Sequence, residues 1–419
     1  MKENLVKLDL FDSKKEVFLF ILLMLVIFSF NIYQKHQLFK EVTKSKFYIT
    51  DGVVLKHYQK SKGSKTYHVL KIKSEDGYSF YTTNYEDLKD LSGRNISLGL
   101  ITDKIDFKSF VSSFYAPSYD IRLFEKEDSF KDKISSFISK QHQDLKTKEL
   151  FLALFLATPI SKSLRFDVSN LGISHLIAIS GFHLGVLFSI FYFLFRYIYI
   201  YFQDKYFPYR NRRFDMSILI FGLLFLYMGL IGYVPSVVRS FVMMAFGFFL
   251  YHRYFKVVSF EVLFVTVLFI LAWIPSFLFS IGFWFSVSGV FYIYLFLHHY
   301  SHLKNWQIFL LLNFWVYFAM LPIVHFIFPN FSLYQLISPF LTMLFSLFYP
   351  FEMFLHFIGF GDLLDGMILK LLSLKSEIME VQTPLWFLVT YVFLSLFSIF
   401  HQRLLFVILI FDFLLLILI

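Results

Sequence analysis

The chain has 419 residues, of which 57% are hydrophobic and 16% charged, so too few charged side chains exist to cover an ordinary soluble protein of this length. With a formal charge of +9 and few ions in the apolar stretches, its basic residues must crowd into loops and one lysine-rich segment. Cysteine is absent, which excludes disulfides, thiolate metal sites and a cysteine nucleophile, and the 61 phenylalanines read either as lipid-facing packing or as stacking platforms.

In chain order, residues 1–34 hold an apolar run, Val17 to Tyr33, behind Lys14 and Lys15. No small-residue cleavage site follows, so the run reads as an anchor helix with its N-terminus inside the cell. Residues 35–125 change character: alternating segments such as Val69-Leu70-Lys71-Ile72-Lys73 and Ile96 to Leu100, with Asp76-Gly77 before Tyr78, predict short strands, a tight hairpin and a small barrel. Between Lys35 and Lys73 stand ten lysines against two acids. Lys56, Lys60, Lys62, Lys65, Lys71 and Lys73 thus form a basic surface, facing a polyanion, anionic lipid or water.

Residues 126–148 place Phe130, Ile134, Phe137 and Ile138 on one face among lysines, which predicts an amphipathic helix lying on the membrane. Apolar runs then follow closely through residues 149–360, 171–202 among them, with prolines breaking or ending several. Residues 361–382 read as a second surface-lying helix, and 383–419 as two final spans. The predicted fold is a polytopic α-helical membrane protein of about ten hydrophobic helices with a small N-terminal all-β domain. Lys205, Arg210, Arg212, Arg213, Arg253, Lys256 and Lys304 fall on the side of the N-terminus if each run crosses once, making that side cytoplasmic and placing the β domain outside.

The most informative stretch is Leu171 to Gly185, where His175, Ser180, Gly181 and His183 interrupt an apolar run. Polar groups there are costly and usually face a cavity. Ser180-Gly181 predicts a kink or helix break, and the spacing of the two histidines predicts that they share one helix face. Arg239, a permanent charge in the run 234–251, reads either as an anion contact or as a side chain that snorkels or pairs with a backbone carbonyl near a helix end. The cluster His298-His299-Tyr300-Ser301-His302 lacks an acid and predicts no metal site, and Asp412 is an isolated acid with no assigned role.

The segment Ser174-His175-Leu-Ile-Ala-Ile-Ser180-Gly181-Phe-His183-Leu-Gly185 resembles the most specific signature of the ComEC family of competence proteins. The likeness continues through Pro235-Ser236-Val-Val-Arg239, through Gly282-Phe283-Trp284-Phe285-Ser286, where the family usually has Gln at the position of Trp284, and through Leu321-Pro322. The resemblance implies an OB-fold for residues 35–125 and an inner-membrane channel that carries single-stranded DNA into the cytoplasm during natural transformation. It implies a DNA path through His175, Ser180, Gly181, His183, Gly185 and Arg239, with Ser236, Gly282 and Ser286 as further candidates; Arg165 and Asn170, just before the motif, read either as its entrance or as ordinary loop residues. Membrane lipid aside, the implied partners are a periplasmic DNA receptor, a cytosolic helicase-like motor and strand-binding proteins.

Because the chain ends at Ile419 on an apolar run, without the C-terminal nuclease many members carry, it reads as a short form that leaves cutting to a separate nuclease. No Gly-rich phosphate loop is present, so neither a cofactor nor a nucleotide site is expected, and the chain reads as a translocator rather than an enzyme. Two rivals remain open: an intramembrane hydrolase using Ser180 with His175 or His183, and a transporter of lipid or small anions.

Overall fold

The computed structural model describes residues 10–62, 65–85, 91–124, 129–253, 255–374 and 376–417, without the side chains of 61, 62, 65 and 413–417. Two compact units are present: Phe11–Phe130 with Val267–Ser280, and Lys131–Thr266 with Ile281–Ile419 and Met1–Leu10.

The first unit opens with helix α1 (Lys14–Val42), long and apolar enough to cross a membrane. Ser13 caps it, its hydroxyl accepting from the Glu16 amide at 3.3 Å. Strands β1 (Phe47–Lys62), β2 (Lys65–Ser74), β3 (Ser79–Asn84) and β4 (Asn95–Ile101) follow, then helix α2 (Phe107–Ser112) and strands β5 (Phe114–Tyr115) and β6 (Ser118–Leu123). The mixed sheet runs β5-β3-β2-β1-β4-β6, with β3 and β5 parallel and the other pairs antiparallel.

Its two ends are consecutive pieces of one segment, because the Ala116 amide donates to Tyr81 O and the Ile101 amide to Pro117 O, each at 3.0 Å. The stretch from Phe114 to Leu123 therefore closes the sheet on itself and removes its open edges. Gly77, at φ +90°, makes the expected hairpin turn between β2 and β3. Alternate residues of these strands, among them Val54, Leu70, Ile72, Phe80, Ile96 and Leu98, fill the interior together with Val42 from the end of α1.

The second unit is helical. It comprises α3 (Phe130–Ser139), α4 (Leu145–Leu156), α5 (Lys162–Asn170), α6 (Ser174–Ile177), α7 (Gly181–Tyr206), α8 (Arg212–Leu230), α9 (Pro235–His252), α10 (Phe260–Trp273), α11 (Ile281–Tyr300), α12 (Asn305–Ile327), α13 (Ser338–Ile358), α14 (Asp365–Leu372), α15 (Leu385–Phe397) and α16 (Arg403–Ile417), the far end of α10 belonging to the first unit. Strands β7 (Asn330–Ser332) and β8 (Ile378–Glu380) pair antiparallel.

Among the described residues six helices are long and apolar enough to cross a membrane: α1, α7, α8, α11, α12 and the stretch Leu333–Ile358 that ends in α13. The shorter α10 and α15 are also apolar, so the count of about ten exceeds what helix length alone supports.

Three other expectations are corrected. Of the helix expected over 126–148, residues 126–128 lie outside the described residues and the rest is two helices, separated where Asp144 caps α4, with Ile134 and Ile138 of α3 packed against the helical core rather than leaving their whole apolar face free. Residues 361–382 hold the short α14, which buries Ile368 and Leu372, and then β8, whose pairing with β7 no local pattern announced. Pro322 and Pro350 sit inside α12 and α13 instead of ending them.

Candidate DNA path and basic strand face

The run 171–202 is not one helix. After α6 the chain is extended at Ala178 and at Ser180, and α7 restarts at Gly181. The break frees backbone groups that α9 answers: the Ser236 hydroxyl, at the second position of that helix, donates to Ile179 O at 2.7 Å. Pro235 at the first position of α9 needs no amide partner there and presets the helical φ.

Ser180 is answered from within α7. His183 Nδ1 accepts from the Ser180 amide at 3.1 Å and lies 3.1 Å from the Ser180 hydroxyl, the reciprocal contact of a capping box. Since Nδ1 accepts from the amide, the neutral ring carries its hydrogen on Nε2, which is buried without a partner among the described residues. The Ser180 hydroxyl shares its ring nitrogen with the Ser180 amide, and among the described residues no acid orients the far side of the ring, so the contact has the form of a helix cap and lacks the third member of a triad.

His175 and His183 do not share a helix face in the way a continuous helix would arrange, because the break separates them. They meet the same neighbour instead. His175 Nδ1 donates to Gly172 O at 3.1 Å and its Nε2 lies 3.2 Å from the Thr342 hydroxyl. The His183 ring packs edge-on to Tyr349, centroids 4.4 Å apart, and against Phe345. Thr342, Phe345 and Tyr349 lie at helical spacing on α13, so one stripe of α13 backs both histidines. None of the three was singled out from sequence, because apolar and hydroxyl residues at that spacing look like any buried helix face.

Arg239 is 5% exposed. Its Nε donates to the Ser286 hydroxyl of α11, Nη2 to the Ser240 hydroxyl and Nη1 to Met243 Sδ, each at 2.8 Å, and Ser240 in turn donates to Ser236 O at 2.8 Å. A guanidinium has five N–H groups. These contacts use three, all partners are neutral, and no carboxylate pairs with Arg239 among the described residues. The sequence-level alternative of backbone carbonyls near a helix end does not match these partners.

Gly181 stands where α7 meets this cluster: a Cβ there would lie 2.9 Å from Ser240 Oγ and 3.8 Å from Arg239 Nη2. Gly185 and Gly282 face open space, with nothing within 4 Å of a built Cβ. Beside the cluster, Phe188, Phe221, Met243, Phe248, Val257 and Tyr294 line an open apolar groove of about 370 Å³.

The remaining candidates lie elsewhere. Arg165 is exposed on α5, while Asn170 is buried and donates to Leu374 O at 3.0 Å, a tether between segments. Asp412 is fully buried with neither carboxylate oxygen bonded among the described residues. His299 is held by Ser398 O at 2.8 Å, and among the described residues no group of three or more metal-binding side chains comes together.

In the first unit the predicted lysines gather by register. Lys56 pairs across from Lys71, Lys71 from Tyr81, Tyr58 from Val69 and Lys60 from Tyr67, which sets these side chains on the outer face of β1, β2 and β3 opposite the buried Leu70, Ile72 and Phe80. Lys73 is one pleat along; Lys62 and Lys65 oppose each other at the end of the hairpin, with side chains outside the described residues.

Tyrosines alternate with the lysines: Lys71 Nζ stands 5.3 Å from the Tyr81 ring centroid and Lys60 Nζ 5.8 Å from that of Tyr58. Exposed Tyr85 and Tyr115 extend the face. Partial burial holds the Lys71 ammonium below the usual lysine value. The lysines were legible from sequence, but the tyrosines joined them only once the strand register was known.

No curated protein and no solved structure matches the chain. The model of one family, described as Competence protein, matches residues 157–419, which takes in the broken helix, the Arg239 cluster and every later helix. On that match the chain belongs to the Competence protein family of ComEC-like membrane proteins, with a role in DNA uptake for competence.

Proposed function

We propose that this protein is the cytoplasmic-membrane channel through which one strand of DNA enters the cell during transformation. The observation that carries the reading is Arg239: a buried guanidinium with neutral partners and N–H groups to spare is a ready contact for a passing phosphate. A duplex is too wide for a bundle of this size, so a single strand is the cargo.

The closed sheet, in which β1, β2, β3, the segment 114–123 and β4 follow one another around, supports an OB-like reading of the N-terminal domain. Its face of alternating lysine and tyrosine suits a single strand, with lysines on phosphates and rings stacked on bases. On this reading the domain is periplasmic and the N-terminus cytoplasmic, membrane lipid surrounds the bundle, and a periplasmic receptor delivers DNA. A cytosolic helicase-like motor and strand-binding proteins draw it in, and a separate nuclease provides the single strand.

Deleting the gene and tracking labelled DNA tests the proposal. DNA should still reach a compartment outside the cytoplasmic membrane, protected from added nuclease, while its entry into the cytoplasm stops. Undiminished cytoplasmic entry rejects it.

A further inference from the structure

His142, in the connection between α3 and α4, meets His356 near the end of α13 and Asp365 at the start of α14 in one buried chain of hydrogen bonds. His142 Nδ1 stands 3.0 Å from both Asp365 carboxylate oxygens, His142 Nε2 stands 3.0 Å from His356 Nε2, and His356 Nδ1 lies 2.8 Å from Glu352 O and 3.3 Å from Glu352 Oε2. The rings are 3% and 4% exposed, and Phe151 stacks on His142 with centroids 4.6 Å apart. Gln141 clamps the pair, donating to His356 O at 3.1 Å and accepting from the Gly361 amide at 2.9 Å. Glycine is required at 361, where a Cβ would lie 2.8 Å from His356 Nε2.

Donor and acceptor roles can be followed along this chain. A carbonyl oxygen only accepts, so His356 Nδ1 carries a hydrogen. Both Asp365 oxygens stand 3.0 Å from His142 Nδ1, an even fork that suits a carboxylate sharing one N–H, so His142 Nδ1 carries a hydrogen too. Two neutral rings would then oppose lone pair to lone pair across 3.0 Å, and the contact requires a third hydrogen between them. A metal ion fits less well: nitrogens bound tetrahedrally at about 2.0–2.1 Å stand roughly 3.3 Å apart and want two more ligands.

We propose that His142 and His356 bind one proton between them, as an imidazole–imidazolium pair, and that this proton latches the α3–α4 connection and α14 onto the end of α13. The acids at the pair are Asp365 and Glu352. On the packed elements Lys146 is drawn to Asp167 at 2.6 Å and Glu149 to the Ser161 amide at 3.0 Å, while Lys140, Lys148 and Lys370 form no ion pair with either acid among the described residues. The latch anchors the stripe of α13 that carries Tyr349 and Thr342, and hence the helix on which both motif histidines rest. It does not depend on DNA conduction.

The test is nitrogen-15 NMR of the full-length protein in lipid nanodiscs, with ring-labelled histidine, at neutral pH. A through-hydrogen-bond coupling between two Nε2 atoms is expected, and both His356→Gln and Gly361→Ala should abolish it, the second without removing a titratable group. In both variants, compared with the parent at one pH, the loss of coupling should come with faster amide hydrogen exchange in residues 140–144 and 359–365. Two neutral rings without coupling in the native protein overturn the proposal, as does a coupling whose loss leaves exchange unchanged. Ring signals altered by a chelator also overturn it, since a metal ion would then hold the pair.

Discussion

Gly181→Ala should disturb the candidate path more than its size suggests. The added Cβ would lie 2.9 Å from Ser240 Oγ and 3.3 Å from Ser240 Cβ. Either Ser240 rotates away, giving up its bonds to Arg239 Nη2 and Ser236 O, or α7 backs off α9 by about 0.5 Å to reach ordinary contact. Two lost hydrogen bonds at about 1 kcal/mol each, or an overpacked contact at about 1–3 kcal/mol, bracket the cost, and the better helix propensity of alanine offsets less than about 1 kcal/mol of it at the first helical position. A net loss of about 1–2 kcal/mol follows from these terms.

Thermal unfolding of the purified protein in detergent, alongside Gly185→Ala as control, measures it. Gly185 lies inside α7 and faces open space, so its alanine variant should melt no lower than the parent and gain up to about 1 kcal/mol from helix propensity. Equal melting of the parent and Gly181→Ala, or equal harm from the two alanines, refutes the close-approach argument.

Arg239→Met should leave unfolding within about 1 kcal/mol of the parent or raise it, because a buried charge without an ionic partner is removed, while cytoplasmic DNA entry falls by at least about tenfold, the worth of one charge-assisted contact. Strong destabilisation instead would make Arg239 a structural residue. Tyr81→Ala should weaken single-stranded DNA binding by the roughly 1–3 kcal/mol of one stacked base, and Lys71→Ala should lower the salt slope by about 0.7; filter binding of the full-length protein across a salt series checks both.

The Asp106 carboxylate caps α2 and is held below the usual aspartate range by the Ser109 hydroxyl and amide at 2.6 and 3.2 Å. A lowered native value means that its stabilisation is present above that range and fades as pH falls through it. The Asp106→Ala defect in unfolding should therefore disappear in acid, and a defect constant with pH would contradict the assignment.

The features legible in the sequence were local ones. Asp76-Gly77 predicted its turn because only a few residues reach positive φ, and Ser180-Gly181 predicted the break because a small, hydroxyl-bearing pair stops a helix by its own chemistry. What escaped was what depends on distant partners. Nothing near Arg239 in sequence announces Ser286, and nothing near His142 announces His356. The shared-face argument for His175 and His183 failed because it assumed helix continuity through the very break the same residues predicted. The strands at 330–332 and 378–380 are too short to show a period, and only their pairing makes them strands.

The central claim is that a DNA strand passes the broken helix beside Arg239. It is tested most directly by placing a photo-reactive amino acid at Gly185, at Ser286 or at the exposed Arg165, and irradiating cells while they take up labelled DNA. The account predicts crosslinks to single-stranded DNA from positions 185 and 286 and few from 165. Crosslinks absent from 185 and 286 in cells that still import DNA would contradict it.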